Sequence, residues 1–173
     1  EYVGGYDGGA RLVEARNNGV MTRTFSKLYG LGGLRVGWGY GPQEIIDVLN
    51  RIRGPFNVTA GGQRAAIAAV NDHGFVTRSR EANREERKRF TQAIEALGNH
   101  GLRAVPSKAN FVLVVFEGAL AAETALQAIA AAGYAVRHLP GQGLPQALRI
   151  TIGTSAQMDE IAAVLRGLCG AQA

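Results

Sequence analysis

One long helical pattern sets the organisation of this sequence. Phe75 to Leu97 reads as a helix that is polar in its first half and apolar at Phe90, Ile94 and Leu97. A helix that is wet along one half and packed along the other suits a bridge between two domains. After Gly98 the pattern alternates: strands over Arg103–Val105 and Asn110–Phe116, a helix over Ala121–Ala132, a strand over Tyr134–Arg137. A strand over Ala147–Ile152 and a closing helix over Ala156–Leu168 complete it. That order predicts a compact α+β layer, helices against a small sheet. Before residue 73 the elements are fewer. A β-prone run, Val20–Phe25, comes after an Asn17-Asn18-Gly19 turn, and Leu34–Tyr40 reads as a second strand. A helix is next, over Gln43–Arg53, with Ile45, Ile46, Leu49 and Ile52 on one face, then an Ala-rich helix over Gly62–Asn71. These elements are too few for a core of their own, and they predict the end of a larger α/β domain.

The bulk properties narrow the function classes. With 46% apolar and 19% charged residues the chain reads as a globular protein, and its 24 glycines show no fixed repeat. The net charge of +5 is concentrated between Arg78 and Arg89, where Glu81, Glu85 and Glu86 alternate with it. That is the pattern of a solvated helix face with spaced ion pairs, and no aromatic-and-basic motif accompanies it, so nucleic acid is not the expected partner. One cysteine, Cys169, excludes an internal disulfide, and its place near the end of the last helix predicts packing. No apolar run spans a membrane and no signal peptide is evident, so a cytoplasmic protein without a membrane partner is expected. His73, His100 and His138 lack metal-ligand spacing, and no metal site is expected.

The chemistry concentrates in Thr22-Arg23-Thr24-Phe25-Ser26-Lys27-Leu28-Tyr29-Gly30-Leu31-Gly32-Gly33-Leu34-Arg35. Lys27 comes just past the β-prone run and enters a Gly-rich turn, an odd place for a lysine whose amine has no task. Its amine could condense with an aldehyde cofactor such as pyridoxal phosphate (PLP), which supplies an electron sink that side chains lack. Thr24 and Ser26 offer hydroxyls to a phosphate, and Arg35 offers a planar fork that matches phosphate oxygens. The glycines let the backbone turn and bring Arg35 back. This is not a Walker P-loop, which places its lysine after the glycines and directly before Ser or Thr. On spacing alone, an exposed lysine beside glycines remains the competing explanation.

The same stretch, continued by Val36-Gly37, resembles the lysine motif of the fold-type I, class II-type aminotransferases, and within them the histidinol-phosphate aminotransferase group. Arg51-Ile52-Arg53-Gly54-Pro55-Phe56-Asn57-Val58, Pro106-Ser107-Lys108-Ala109-Asn110-Phe111-Val112 and Gly143-Leu144-Pro145-Gln146-Ala147-Leu148-Arg149-Ile150-Thr151-Ile152-Gly153-Thr154 extend the resemblance in the family's order. It implies an α/β fold: residues 1–73 as the C-terminal part of the PLP-binding large domain (three-layer αβα), 74–98 as the bridging helix, and 99–173 as a small α+β C-terminal domain. It implies PLP as cofactor, Lys27 as the Schiff-base lysine and proton carrier, and Thr24, Ser26 and Arg35 around the phosphate. Arg149 would clamp the substrate α-carboxylate, Arg137 would lie near the substrate, and Asn110 would face the site or cap a strand end.

The resemblance covers the C-terminal half of the family's chain. The aspartate that pairs with the pyridine nitrogen, the tyrosine on the phenolic oxygen, the neighbouring asparagine and the ring-stacking aromatic have no counterpart here. Tyr2 and Tyr6 do not replace them, because Glu1-Tyr2-Val3 matches the segment just after the family's Asp-x-x-Tyr element. The chain is therefore expected to be a fragment, inactive alone, of a homodimeric enzyme for small amino-acid and 2-oxo-acid substrates. The implied reaction passes an amino group between L-glutamate and imidazole-acetol phosphate. An aromatic amino-acid aminotransferase and a threonine-phosphate decarboxylase are the enzymatic alternatives, and a non-catalytic binding remnant is the other class. Trp38 and Tyr40 are expected in a core or wall, and the Lys27 strand is expected to leave an unpaired edge.

Overall fold

In the computed structural model, residues 2, 3, 5 and 7–171 are described; Glu1 and Tyr6 lie outside them. The chain divides into two compact units, Glu1–Arg80 and Glu81–Ala173.

The first unit opens with a short helix, α1 (Ala10–Glu14), and an antiparallel pair, β1 (Met21–Thr24) and β2 (Gly37–Tyr40), in the register Met21↔Tyr40 and Thr24↔Gly37. β2 begins later than the hydrophobic pattern predicts. Gly32–Leu34 forms a 3-10 turn and Arg35 is left-handed at φ 55°, so the chain becomes extended only beyond Arg35. Gly37 is obligatory where the strands meet, because a Cβ there would stand 2.6 Å from the Arg23 carbonyl oxygen. Among the described residues β1 pairs with β2 alone, so its other edge is open.

Pro42 starts α2 (Gln43–Ile52), its carbonyl accepting from the Ile45 and Ile46 amides. Ile45 and Ile46 are half-buried, whereas Leu49 and Ile52, on the same predicted face, are exposed. α3 (Ala60–Asn71) is capped by Thr59, whose Oγ1 accepts from the Gly62 amide at 3.0 Å. The buried cluster of this unit is only Phe25, Val36 and Ala66, with Tyr29, Leu31 and Val58 beside it. Trp38 and Tyr40 are not core residues: both are exposed, and the Tyr40 hydroxyl donates to Glu14 Oε1 at 3.2 Å.

α4 (His73–Glu95) begins in the first unit and runs on into the second. Asp72 starts it two residues earlier than predicted, its Oδ1 accepting from the Phe75 amide at 2.8 Å. The second unit contains β3 (Leu102–Val105), β4 (Phe111–Phe116), α5 (Ala122–Ala131), β5 (Arg137–Leu139), β6 (Leu144–Thr151) and α6 (Ser155–Gly170). Its sheet is fully antiparallel in the order β3-β4-β6-β5, which leaves β3 and β5 at the edges. Alternation sends Leu102, Ala104, Val112, Val114, Leu148 and Ile150 to one face. There they join Phe90 and Ile94 of α4, Ala125 and Ile129 of α5, and Ile161 and Leu165 of α6 in one core. Cys169 is buried in it as well, and burial pushes its thiol pKa up.

A capping box holds the start of α6: Thr154 Oγ1 accepts from the Gln157 amide, and Gln157 Oε1 accepts from the Thr154 amide at 2.9 Å. The predicted strand Tyr134–Arg137 lies instead at Arg137–Leu139. Tyr134 closes the α5 turn, its amide bonding to the Ile129 carbonyl, so pairing with β6 starts at Arg137.

Candidate functional site

Lys27 sits in the bend that leaves β1, between the strand and the 3-10 turn. Its neighbours Phe25 and Leu28 are buried, which anchors the bend on both sides and leaves Lys27 itself exposed. The Lys27 carbonyl accepts from the Gly30 amide at 2.9 Å, whereas its side-chain amine has no hydrogen-bond or ion-pair partner among the described residues. Thr24 and Ser26 are already in contact. Thr24 Oγ1 donates to Ser26 Oγ at 2.7 Å and accepts from the Ser26 amide at 3.0 Å. That arrangement leaves the Ser26 hydroxyl proton for an outside acceptor.

Arg35 is strained in its place here: a non-glycine residue in the left-handed region costs roughly 1–2 kcal/mol. The conformation folds its side chain back so that Nη1 donates to the Gly32 carbonyl at 2.6 Å, and the remaining guanidinium N–H groups stay available. Gly32 is itself tight against the bend, since a Cβ there would lie 3.2 Å from the Ser26 carbonyl oxygen. The turn thus presents two hydroxyls, an ammonium and a guanidinium, with no carboxylate in salt-bridge range among the described residues. Such a donor set fits a phosphate and an aldehyde together.

In the second unit Arg149 on β6 lies directly across from Arg137 on β5, and cross-strand partners share a face. Phe111, on the same face of β4, lies under the Arg149 guanidinium, which stands 5.3 Å from its ring centroid. Arg149 is half-buried, Arg137 is exposed, and neither pairs with a carboxylate among the described residues. Like charges placed opposite one another destabilise a sheet by a few tenths of a kcal/mol to about 1. A pair kept at that cost is suited to a shared anion.

Asn110 immediately precedes β4, and its backbone carbonyl accepts from the Ile152 amide at 2.9 Å. Its side chain has no hydrogen-bond partner among the described residues and caps nothing. The preceding loop is fixed from α4, where Asn83 Nδ2 and Arg87 Nη1 donate to the Ala109 carbonyl at 3.3 and 2.9 Å.

Two parts of this arrangement are not foreseen from the sequence. Phe111 could have been found by carrying β alternation across the β4–β6 register, but register is not visible before the strands are paired. The left-handed Arg35 carries no sequence signal, because glycine is the residue expected to supply that conformation.

The family model for aminotransferase class I and II matches residues 2–165. A histidinol-phosphate aminotransferase of Erythrobacter litoralis is 64% identical over 156 residues, 90% of this chain and 42% of that protein. The enzyme of the same name from Sphingopyxis alaskensis is 53% identical over 160 residues, covering 92% of this chain and 43% of that protein. The chain therefore spans less than half the length of these curated relatives. Among solved structures, histidinol-phosphate aminotransferase from Sinorhizobium meliloti in complex with pyridoxal-5'-phosphate superposes with a TM-score of 0.75 at 29% identity, over 91% of this chain and 42% of that one. With the fold-type I arrangement and most of the chain matched, this protein belongs to the class I and II aminotransferase family.

Proposed function

We propose that this chain is the C-terminal part of a cytoplasmic, homodimeric, PLP-dependent aminotransferase that exchanges an amino group between L-glutamate and imidazole-acetol phosphate. The observation that carries it is the Lys27 turn: an exposed lysine whose amine has no partner among the described residues, flanked by two mutually bonded hydroxyls and a backfolded arginine. The high identity to histidinol-phosphate aminotransferases directs the choice of substrate. Residues 1–73 would belong to the PLP-binding large domain, 74–98 to a bridging helix and 99–173 to the small domain.

PLP, when bound, supplies the electron sink that stabilises negative charge developing at the substrate Cα. Lys27 Nζ would hold the cofactor covalently. The same Nζ would take the proton from the substrate Cα, so one amine could serve as base and then as acid. Ser26 Oγ, Thr24 Oγ1 and the Arg35 fork hold the phosphate, which fixes the cofactor against rotation while protons move. Arg149 grips the α-carboxylate of L-glutamate with two parallel N–H groups, and Phe111 keeps its guanidinium plane in place. Arg137 lies beside Arg149 and takes the phosphate of histidinol phosphate, and Asn110 contributes a side-chain amide nearby.

The test is transamination by the full-length enzyme with L-histidinol phosphate, L-phenylalanine or L-threonine phosphate offered against 2-oxoglutarate. Histidinol phosphate is expected to be preferred in kcat/KM by at least about a hundredfold, since a site that bonds a polar group rejects analogues without it. Equal use of phenylalanine would shift the assignment to an aromatic aminotransferase. Loss of CO2 from threonine phosphate would shift it to a decarboxylase.

A further inference from the structure

We propose that His138 is a positioning residue, a clamp that holds edge strand β5 in the register that keeps Arg137 beside Arg149. The inference rests on the assignment of Arg137 to the substrate made above.

β5 is three residues long and, among the described residues, has a strand neighbour on one side only, β6. Its pairing is irregular: His138 faces Leu148 and Leu139 faces Leu144, so Pro145, Gln146 and Ala147 bulge on the β6 side. Pro145 lacks an N–H and cannot donate to the ladder. The strand also carries Arg137 directly opposite Arg149, and their mutual repulsion works to peel the edge away. A short, bulged, self-repelling edge needs a holder other than its own ladder.

His138 is in that place. Its Cα partner Leu148 is a core residue, so the ring lies on the helix side of the sheet, away from the two arginines. Nε2 donates to the Pro145 carbonyl at 2.6 Å, which closes the bulge. Nδ1 stands 3.1 Å from Glu123 Oε2 on the first turn of α5. The His138 side chain is 18% exposed and Glu123 is 58% exposed. One ring thus ties β5, the β6 bulge and α5 together, one residue from Arg137.

The clamp acts on substrate binding and not on proton transfer, which separates the two kinetic constants. In the holoenzyme, assayed with L-histidinol phosphate and 2-oxoglutarate, His138→Ala is expected to raise KM for histidinol phosphate about tenfold, with kcat within about twofold of the parent. His138→Gln, whose amide can still donate to the Pro145 carbonyl, is expected to recover most of the loss. Amide hydrogen exchange is expected to quicken across β5 and not β3 in His138→Ala. Arg137→Gln is the control for the underlying assignment. An unchanged KM in His138→Ala, with KM raised in Arg137→Gln, overturns the clamp and leaves Arg137 on the substrate. An unchanged KM in Arg137→Gln overturns the assignment and the clamp with it. Should His138→Ala fail to fold, Glu123→Ala removes one arm from a largely exposed position and is expected to raise KM in the same way, and an unchanged KM there overturns the clamp.

Discussion

Arg35 and Lys27 divide the work of the turn between charge and geometry. Arg35 takes up backbone strain that brings its side chain back to the Gly32 carbonyl. Replacing it by lysine keeps the charge and loses the planar pair of donors. Arg35→Lys is therefore expected to weaken PLP binding to the full-length enzyme by roughly tenfold or more, from the loss of one charge-assisted hydrogen bond, as read by a spectroscopic titration. Arg149→Lys is expected to raise KM for L-glutamate by a similar factor, because the α-carboxylate of glutamate loses its planar pair of donors. At this scale the donor types were legible, since Thr24, Ser26, Lys27 and Arg35 stand close together in the sequence, although spacing alone also fits an exposed lysine beside glycines. The contacts that orient those donors were not. The Gly32 carbonyl that receives Arg35 and the Phe111 ring under Arg149 depend on a left-handed residue and on a strand register, and neither has a local pattern.

Between elements, α4 and α6 are tied by charge, and Phe90 and Ile94 share one core with Ile161 and Leu165. Ser155 Oγ donates to Glu86 Oε1 at 2.6 Å, and Arg89 reaches Glu86, Asp159 and the Ser155 carbonyl. The Ser155 hydrogen bond, with help from Arg89, holds the Glu86 pKa below its ordinary value against the opposing effect of burial. A carboxylate whose folded pKa is depressed stabilises above its unfolded value, about 4.3, and the gain is lost as pH falls through the lower folded value. Ser155→Ala is expected to flatten the acid limb of stability below about pH 4.3, measured by denaturant melts across pH. Thr154→Ala removes one half of the capping box and is expected to cost about 1 kcal/mol. Ile129→Ala empties a site that is fully buried between α5 and the sheet and is expected to cost about 2–5 kcal/mol. Element identity was well indicated by periodicity in this second half, because each helix and strand has one buried face. The displaced elements show what periodicity omits. β5 moved because Tyr134 is still part of the helix-ending turn, and β2 was shortened by the turn that Arg35 imposes.

At the scale of the whole molecule the two units differ in how much of themselves they cover. Every exposed large apolar side chain among the described residues belongs to the first unit, from Val3 to Phe75, with Ile52, Ile67 and Phe56 the most open at 73%, 65% and 95%. Phe56 is also left-handed at φ 54°, in a loop fixed by Arg53, which donates to Asn50 and Asn57. The second unit has a continuous core and no such residue among those described. Residues 81–173 alone are therefore expected to unfold cooperatively in denaturant, whereas residues 1–80 alone are expected to bind a hydrophobic dye and show no cooperative transition. The scarcity of elements before residue 73 already pointed to an incomplete core, since the five buried hydrophobic side chains among the described residues, Val13, Phe25, Leu28, Val36 and Ala66, cannot offset the entropy of ordering such a length of chain.

The position of the covalent cofactor is the most direct test that Lys27 is the reactive centre. The chain has three lysines, Lys27, Lys88 and Lys108, so peptide mapping resolves them cleanly. The full-length enzyme is loaded with PLP, treated with borohydride, digested and analysed by mass spectrometry. A visible absorption band that the reagent bleaches is expected, with stoichiometric label on Lys27 and none in Lys27→Ala. Label spread over Lys88 and Lys108, or a band that persists in Lys27→Ala, would contradict it.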